Sequence, residues 1–233
     1  AACSVASLAG KTALVTGGER GIGRAICLRL AADGARLFVN YPGDGDAAAA
    51  VVSEILAAGG HGAVVRGDVA RVADVSAMFA EIGALDILVN NAGIGIPAAL
   101  SEIAEDMLDR AFAVNVKGAV FCAQEASRRM PRGGSIVNMS SSPVLFPLPG
   151  MSVYTATKAA VRAFTDVWAK ELGPAGIRVN SVLPGPTSPG MADLASPALK
   201  ESVARASPFG RIGQADEVAA AVAFLAGDDA RWI

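Results

Sequence analysis

Histidine is nearly missing from this chain of 233 residues: there is one, His61, in a Gly-Gly-His-Gly stretch that reads as a turn. The three cysteines, Cys3, Cys27 and Cys122, stand at no metal-ligand spacing. A structural zinc site and a histidine-based triad are thereby excluded as readings. Aromatic residues make up only 5 % against 52 % hydrophobic residues overall, so the core must be aliphatic and rich in alanine, and the length suits one large domain spanning 1–233. There is no excess of either charge. The 20 basic and 22 acidic residues, net −2, are dispersed, which leaves no footprint for nucleic acid or an acidic membrane and turns attention to small-molecule partners. Mean hydropathy is positive, yet no apolar run approaches the roughly 18 residues of a spanning helix. The opening Ala1–Ala9 lacks the basic start of a signal peptide. These absences predict a soluble, cytoplasmic protein.

What is present is an alternation of short aliphatic runs with longer helical patterns. Strands are expected at Thr12–Thr16, Arg36–Asn40, Ala63–Arg66, Ile87–Asn90, Ser135–Met139 and Arg178–Leu183. Helices are expected at Gly21–Ala32, Ala47–Ala58, Val72–Ile82, Glu102–Met130 and Val153–Leu172. Continuous apolar strands alternating with helices predict an α/β fold, a Rossmann-type doubly wound parallel sheet with helices on both faces. After Leu183 the pattern gives way to a Pro-, Gly- and Ser-rich stretch. Too little chain follows for a second domain, so 184–210 is read as a loop region covering a substrate site.

Two stretches carry chemistry. Tyr154 and Lys158 are four apart in a helical pattern, hence on one face, where an ammonium can favour the ionised phenol. A tyrosine of ordinary pKa about 10 exchanges protons near neutrality only with such help. The serines Ser140, Ser141 and Ser142 close the preceding strand, and a hydroxyl there can bond the same substrate oxygen. In isolation Tyr-x-x-x-Lys is equally an ordinary amphipathic helix. The second stretch, Thr16-Gly17-Gly18-Glu19-Arg20-Gly21-Ile22-Gly23, lies between the first strand and the first helix. Glycines there let the backbone approach a pyrophosphate that the helix N-terminus attracts.

With these motifs go Asp68-Val69 after the third strand, Asn90-Asn91-Ala92-Gly93 after the fourth, Asn115 in the long helix and Pro184-Gly185 after the sixth strand. Together, and in this order, they resemble the short-chain dehydrogenase/reductase family from Leu8 to Ile233, closest in tone to the 3-oxoacyl-carrier-protein reductases. The resemblance implies an oxidoreductase that moves a hydride between a nicotinamide cofactor and a carbonyl/secondary alcohol pair, without a metal. In it Tyr154 is the general acid/base, and Lys158 lowers its pKa and holds the nicotinamide ribose. Ser141, the best match by its distance from the tyrosine, orients the carbonyl, with Ser140 and Ser142 as adjacent alternatives. Asn115 anchors a water that links Lys158 to solvent. The implied cofactor contacts are Gly17, Glu19, Arg20, Gly21, Ile22 and Gly23 in the glycine loop, Asn40 and Tyr41 after the second strand, and Asp68 with Val69 at the adenine. Asn91, Ala92 and Gly93 lie beside the adenosine ribose, and Pro184, Gly185 and Thr187 near the nicotinamide.

NADP(H) is favoured over the alternative NAD(H). Tyr41 stands where NAD-preferring relatives carry an acid, and Arg20 resembles the cation that meets a 2′-phosphate. The chain departs from the family pattern in three places. Glu19 replaces a small residue, the helix Val72–Ile82 is about one turn short, and Pro189 replaces a threonine whose nicotinamide contact passes to Thr187 or Ser188. An apolar set (Ile94, Ile96, Val144, Leu145, Phe146, Leu148, Met151, Pro186 and Met191) predicts a hydrophobic carbonyl substrate. A 3-oxoacyl thioester, a free ketone, a sugar and a steroid alcohol stay open. Arg128, Arg129 and Arg132 are candidates for an acyl carrier protein contact, although exposed basic residues at a helix end are usually just solvated and favourable to the dipole. From a different class, a catalytically silent cofactor-binding regulator or scaffold is the alternative. The resemblance also implies a homo-oligomer, dimer or tetramer, packed through the long helices. Relatives run on past Asp228–Ile233 to a seventh strand beside the sixth, so a longer native chain is expected, one that covers the edge strand Arg178–Leu183.

Overall fold

The structure is a computed structural model that describes residues 8–190, 193 and 196–233. The expectations placed on Cys3, on Met191 and on the first seven residues lie outside that range. The chain runs β1 (Thr12–Val15), α1 (Gly21–Ala32), β2 (Arg36–Tyr41), α2 (Asp46–Ala57), β3 (His61–Arg66), α3 (Val72–Ile82) and β4 (Ile87–Asn90). It continues with α4 (Glu105–Phe112), α5 (Gly118–Ser127), β5 (Ser135–Met139), α6 (Ser152–Leu172), β6 (Arg178–Val182), β7 (Thr187–Ser188), α7 (Pro197–Ala206), β8 (Gly213–Gln214) and α8 (Ala215–Ala226). Six strands form one parallel sheet in the order β3-β2-β1-β4-β5-β6.

Side chains alternate across this sheet, and adjacent strand residues feed different cores. Val15, Leu37, Val89 and Val137 pack against α1, α2 and α8, while their neighbours Leu14, Phe38, Leu88 and Ile136 pack against α3, α5 and α6. Both faces are dry, which is why the strands read as unbroken apolar runs. Truncating a fully buried residue such as Leu88 to alanine would cost about 2–5 kcal/mol. From β1 the sheet grows one way through β2 and β3 and the other way through β4 to β6. The carboxyl ends of β1 and β4 therefore open a crevice at the switch point, where such sheets bind ligands.

The structure differs from the sequence reading at three places. The expected helix Glu102–Met130 is α4, a π-helical turn at Ala113–Lys117 and α5, with the Gly118 amide donating to the carbonyl of Ala113, five residues back. His61 is not in a turn: it begins β3, in register with Arg36 of β2, because the parallel ladder extends further than the apolar run. The stretch after Pro184 is not all loop. It holds β7, which pairs with β8, and the largely exposed helix α7, and it leads into α8, whose Ala219, Val222 and Ala223 join the core beside α1.

Candidate active site

β5 ends at Met139 and the three serines turn the chain toward α6, which starts one short loop later. The structure separates the serines. The Ser140 hydroxyl donates to the Lys158 carbonyl at 2.9 Å and fastens α6 to the strand end. The Ser142 amide donates to the Pro184 carbonyl at 2.9 Å. Ser141 is buried beside the phenol of Tyr154, near enough for its hydroxyl to favour the ionised form. Lys158 is 4 % exposed, donates from Nζ to the Met139 carbonyl at 2.8 Å and stands 5.9 Å from the Tyr154 ring centroid.

Burial governs the protons here. It lowers Lys158 to about 8. It raises Tyr154 above its ordinary value, and the Ser141 hydroxyl pulls the other way. The downward shift expected for the phenol from its lysine neighbour is thus not the direction in this structure: loss of solvation outweighs the favourable contacts.

Asn115 occupies the π-helical turn and is 1 % exposed. Its Oδ1 accepts from the Ile94 amide at 2.8 Å, and its Nδ2 donates to the Ile94 carbonyl at 2.8 Å and to Thr157 Oγ1 at 3.0 Å. Thr157, fully buried, donates to the Tyr154 carbonyl at 2.7 Å. Sequence reasoning missed Thr157; its only signal was a hydroxyl on the buried face of α6 between Tyr154 and Lys158. Gly93 belongs to the same corner. A Cβ there would stand 3.1 Å from Lys158 Nζ and 3.4 Å from Asn115 Oδ1, so a glycine keeps the loop after β4 pressed against both.

At the other end of the crevice, Thr16 Oγ1 accepts from the amides of Asn91 and Ala92, each at 3.0 Å, and Asn91 Nδ2 donates to the carbonyls of Thr16 and Gly17, each at 2.9 Å. This bolts the loop after β4 to the glycine loop. Gly23 has no room for a side chain, since a Cβ would lie 2.2 Å from the Gly17 carbonyl oxygen. Gly21 and Ile22 open α1, whose first turn carries no acidic residue and whose N-cap, Arg20, makes no side-chain capping bond. The amides of that turn therefore face outward as an anion site.

Arg20 is exposed, with Nε 3.7 Å from Glu19 Oε1; Glu19 Oε2 is buried without a hydrogen-bond partner. Asn40, expected against the cofactor, is 1 % exposed and instead holds the loop. Its Oδ1 accepts from the Gly17 amide at 3.2 Å and its Nδ2 donates to the Gly67 carbonyl at 2.9 Å. Tyr41 at the end of β2 is half-buried, its hydroxyl against Gly45. Asp68 accepts from the Ala70 amide at 2.9 Å, and Val69 is buried against Gly118.

Beyond β6, the Pro184 carbonyl meets Ser142, and the Thr187 hydroxyl donates to the Gly185 carbonyl at 2.9 Å. The Ser188 hydroxyl donates to Asp193 Oδ1 at 2.8 Å. The hydroxyls of both nicotinamide-contact candidates are thus engaged within the chain. A cavity of about 340 Å³ under α7 reaches Gly185 and Thr187 but is lined by neither Ser141 nor Tyr154. Among the described residues no group of three or more His, Cys, Asp or Glu is arranged to hold a metal, and no helix is long and apolar enough to cross a membrane.

The residues present fit a nicotinamide dinucleotide: outward amides at the head of α1, a glycine-bared crevice, and a buried Ser–Tyr–Lys cluster at its far end. These are the parts of a dinucleotide-binding α/β oxidoreductase. A family model described as enoyl-(acyl carrier protein) reductase matches residues 17–233. An uncharacterized oxidoreductase of Methylorubrum extorquens is 42 % identical over 236 residues, 98 % of this chain and 95 % of that protein. The 3-oxoacyl-[acyl-carrier-protein] reductase FabG of Staphylococcus aureus is 43 % identical over 229 residues, 96 % of this chain and 93 % of that one. Among solved structures, the angucycline C-6 ketoreductase LanV with bound NADP superposes with a TM-score of 0.94 at 39 % identity, covering 98 % of this chain and 93 % of its own. The chain belongs to the short-chain dehydrogenase/reductase family of NAD(P)-dependent oxidoreductases.

Proposed function

We propose that this protein is an NADP(H)-dependent reductase of a carbonyl on a largely apolar small molecule, with Tyr154 as the proton donor. The observation that carries the reading is the gathering of three buried side chains, Ser141, Tyr154 and Lys158, in one corner, with Lys158 Nζ 5.9 Å from the Tyr154 ring centroid. The nicotinamide, when bound, supplies the hydride. Ser141 and Tyr154 bond the substrate oxygen together, and Tyr154 gives it the proton as negative charge develops there. Lys158, near 8, is cationic at neutral pH and steadies the phenolate left behind. The proton is replaced through Lys158, with Asn115 beside it as the anchor of a water that links the lysine to solvent.

Two features support NADP(H). No carboxylate ends β2, where Tyr41 stands, and the exposed Arg20 is available to a 2′-phosphate. LanV, similar over nearly the whole chain, was solved with NADP. The exposed Leu145, Phe146 and Leu148 after β5 offer an apolar rim with no cation to anchor an acid, and 184–210, with α7, is read as the cover of the substrate side. The relationship to FabG keeps a 3-oxoacyl thioester as a second substrate reading. Against docking of an acidic carrier, Arg128 and Arg129 both pair with Glu125 and Arg132 donates to the Pro174 carbonyl. The exposed Leu108 and Phe112 of α4 and Val167 of α6 support assembly into a homodimer or tetramer through the long helices. The buried free thiols of Cys27 and Cys122 suit the reducing cytoplasm.

The test is a panel of ketones, aldehydes, 3-oxoacyl thioesters and alcohols followed at the nicotinamide absorbance. Tyr154→Phe should lower turnover of a responsive substrate by at least ~10² while NADPH still binds. Wild-type turnover in that variant would rule the mechanism out, and NADPH binding with no turnover of any substrate would favour the silent scaffold.

A further inference from the structure

We infer that Thr157 is a positioning residue for Tyr154, tying the tyrosine's turn of α6 through Asn115 to the loop that follows β4. The inference rests on the reading of Tyr154 as proton donor. Its ground is the polarity of the hydrogen bonds, which one backbone group determines. The Ile94 amide can only donate, so the oxygen of the Asn115 carboxamide must face it, at 2.8 Å. The Asn115 nitrogen then has two protons to place, and they go to the Ile94 carbonyl at 2.8 Å and to Thr157 Oγ1 at 3.0 Å. Thr157 must accept there, which leaves its own proton for the Tyr154 carbonyl at 2.7 Å.

The chain of bonds has one direction and no spare donor. With Thr157 at 0 % and Asn115 at 1 % exposure, solvent has no access to replace a missing link. It joins two walls of the site. One is α6, which carries Tyr154 and Lys158; the other is the 93–94 loop, where Gly93 lies against both Lys158 and Asn115.

Removing the hydroxyl leaves an Asn115 proton unpaired in a dry place. The side chain must turn or shift, and the loop it clamps and the tyrosine's turn lose their common reference. Misplacement of the reacting groups lowers the chemical step. The bolts at the glycine loop, Thr16 with Asn91 and Asn40 with Gly17, are untouched, so the pyrophosphate end of the site keeps its shape and cofactor affinity changes far less than the chemical step.

The experiment compares Thr157→Val, which keeps the shape, with Thr157→Ser, which keeps the hydroxyl, and runs Tyr154→Phe in parallel on the same carbonyl substrate. Thr157→Val should lower kcat about tenfold, with the NADPH Kd within about twofold of wild type and Thr157→Ser recovering most of the loss. If Thr157→Val does not fold, Thr157→Cys, of similar size and with a far weaker donor and acceptor, carries the same expectation. Wild-type kcat in the hydroxyl-less variant, an equal loss of kcat and NADPH affinity, or a serine variant as slow as the valine variant would each overturn the inference while an inactive Tyr154→Phe leaves the proposed function standing. An active Tyr154→Phe would instead overturn both.

Discussion

Lys158 reaches from α6 to the end of β5, its Nζ donating to the Met139 carbonyl at 2.8 Å, and this bond holds an ammonium where almost no solvent reaches it. The cost appears as a folded pKa near 8 against an ordinary 10.5. Between those values the unfolded chain keeps a proton that the folded chain has released. Wild-type stability should therefore gain from this group as pH rises from about 8 to about 10.5, by roughly 3 kcal/mol in all. Urea unfolding of wild type and Lys158→Met across that window measures it. The difference between the two should move in favour of wild type with rising pH, and a pH-independent difference would contradict the buried ammonium.

Arg20 and Asn40 flank the same glycine loop but act differently. Arg20 is exposed, so Arg20→Ala should leave the fold intact and weaken NADPH about tenfold, the equivalent of one charge-assisted hydrogen bond, with NADH little changed. Binding titrations with both cofactors decide it; equal weakening of the two would remove Arg20 from the 2′-phosphate.

Asn40→Ala should weaken NADPH and NADH by the same factor. It strips the part-buried Gly17 amide and the buried Gly67 carbonyl of their partner, and a buried group left unpaired costs about 1–3 kcal/mol in stability. Chemical denaturation alongside the titrations checks both halves. A selective loss of one cofactor would return Asn40 to direct contact.

A methyl group added at Gly23 would meet the Gly17 carbonyl oxygen at 2.2 Å and Asn91 Nδ2 at 2.5 Å. Gly23→Ala should therefore displace the loop, abolish cofactor binding at the concentrations that saturate wild type, and lower the unfolding midpoint, since overpacking costs about 1–3 kcal/mol. Gly43→Ala, with nothing within 4 Å, is the control and should match wild type in both measurements.

If the exposed Leu108 and Phe112 of α4 face a second copy, Leu108→Glu with Phe112→Glu should convert an oligomer to a monomer in sedimentation velocity without loss of secondary structure. Wild-type protein already monomeric at micromolar concentration would end the long-helix assembly.

The parts of this protein that its sequence alone determined are those set by short-range periodicity. Five of the six sheet strands are apolar runs at the expected positions, the glycine run leads into α1, and Tyr154 shares a helix face with Lys158 because four residues make about one turn. What the tertiary structure decided depends on partners far away in the chain. Ser141 rather than Ser140 meets Tyr154, because the Ser140 hydroxyl is taken by the Lys158 carbonyl eighteen positions on. Asn40 became a loop fastener once β3 brought Val65 and Gly67 beside it. The π-helical turn that carries Asn115, and the Thr157 bond it makes 42 residues away, left no mark on the hydrophobic pattern. The direction of the Tyr154 shift was equally invisible. A local sequence shows which charge stands four residues off, but desolvation depends on how much of the whole fold closes over the phenol.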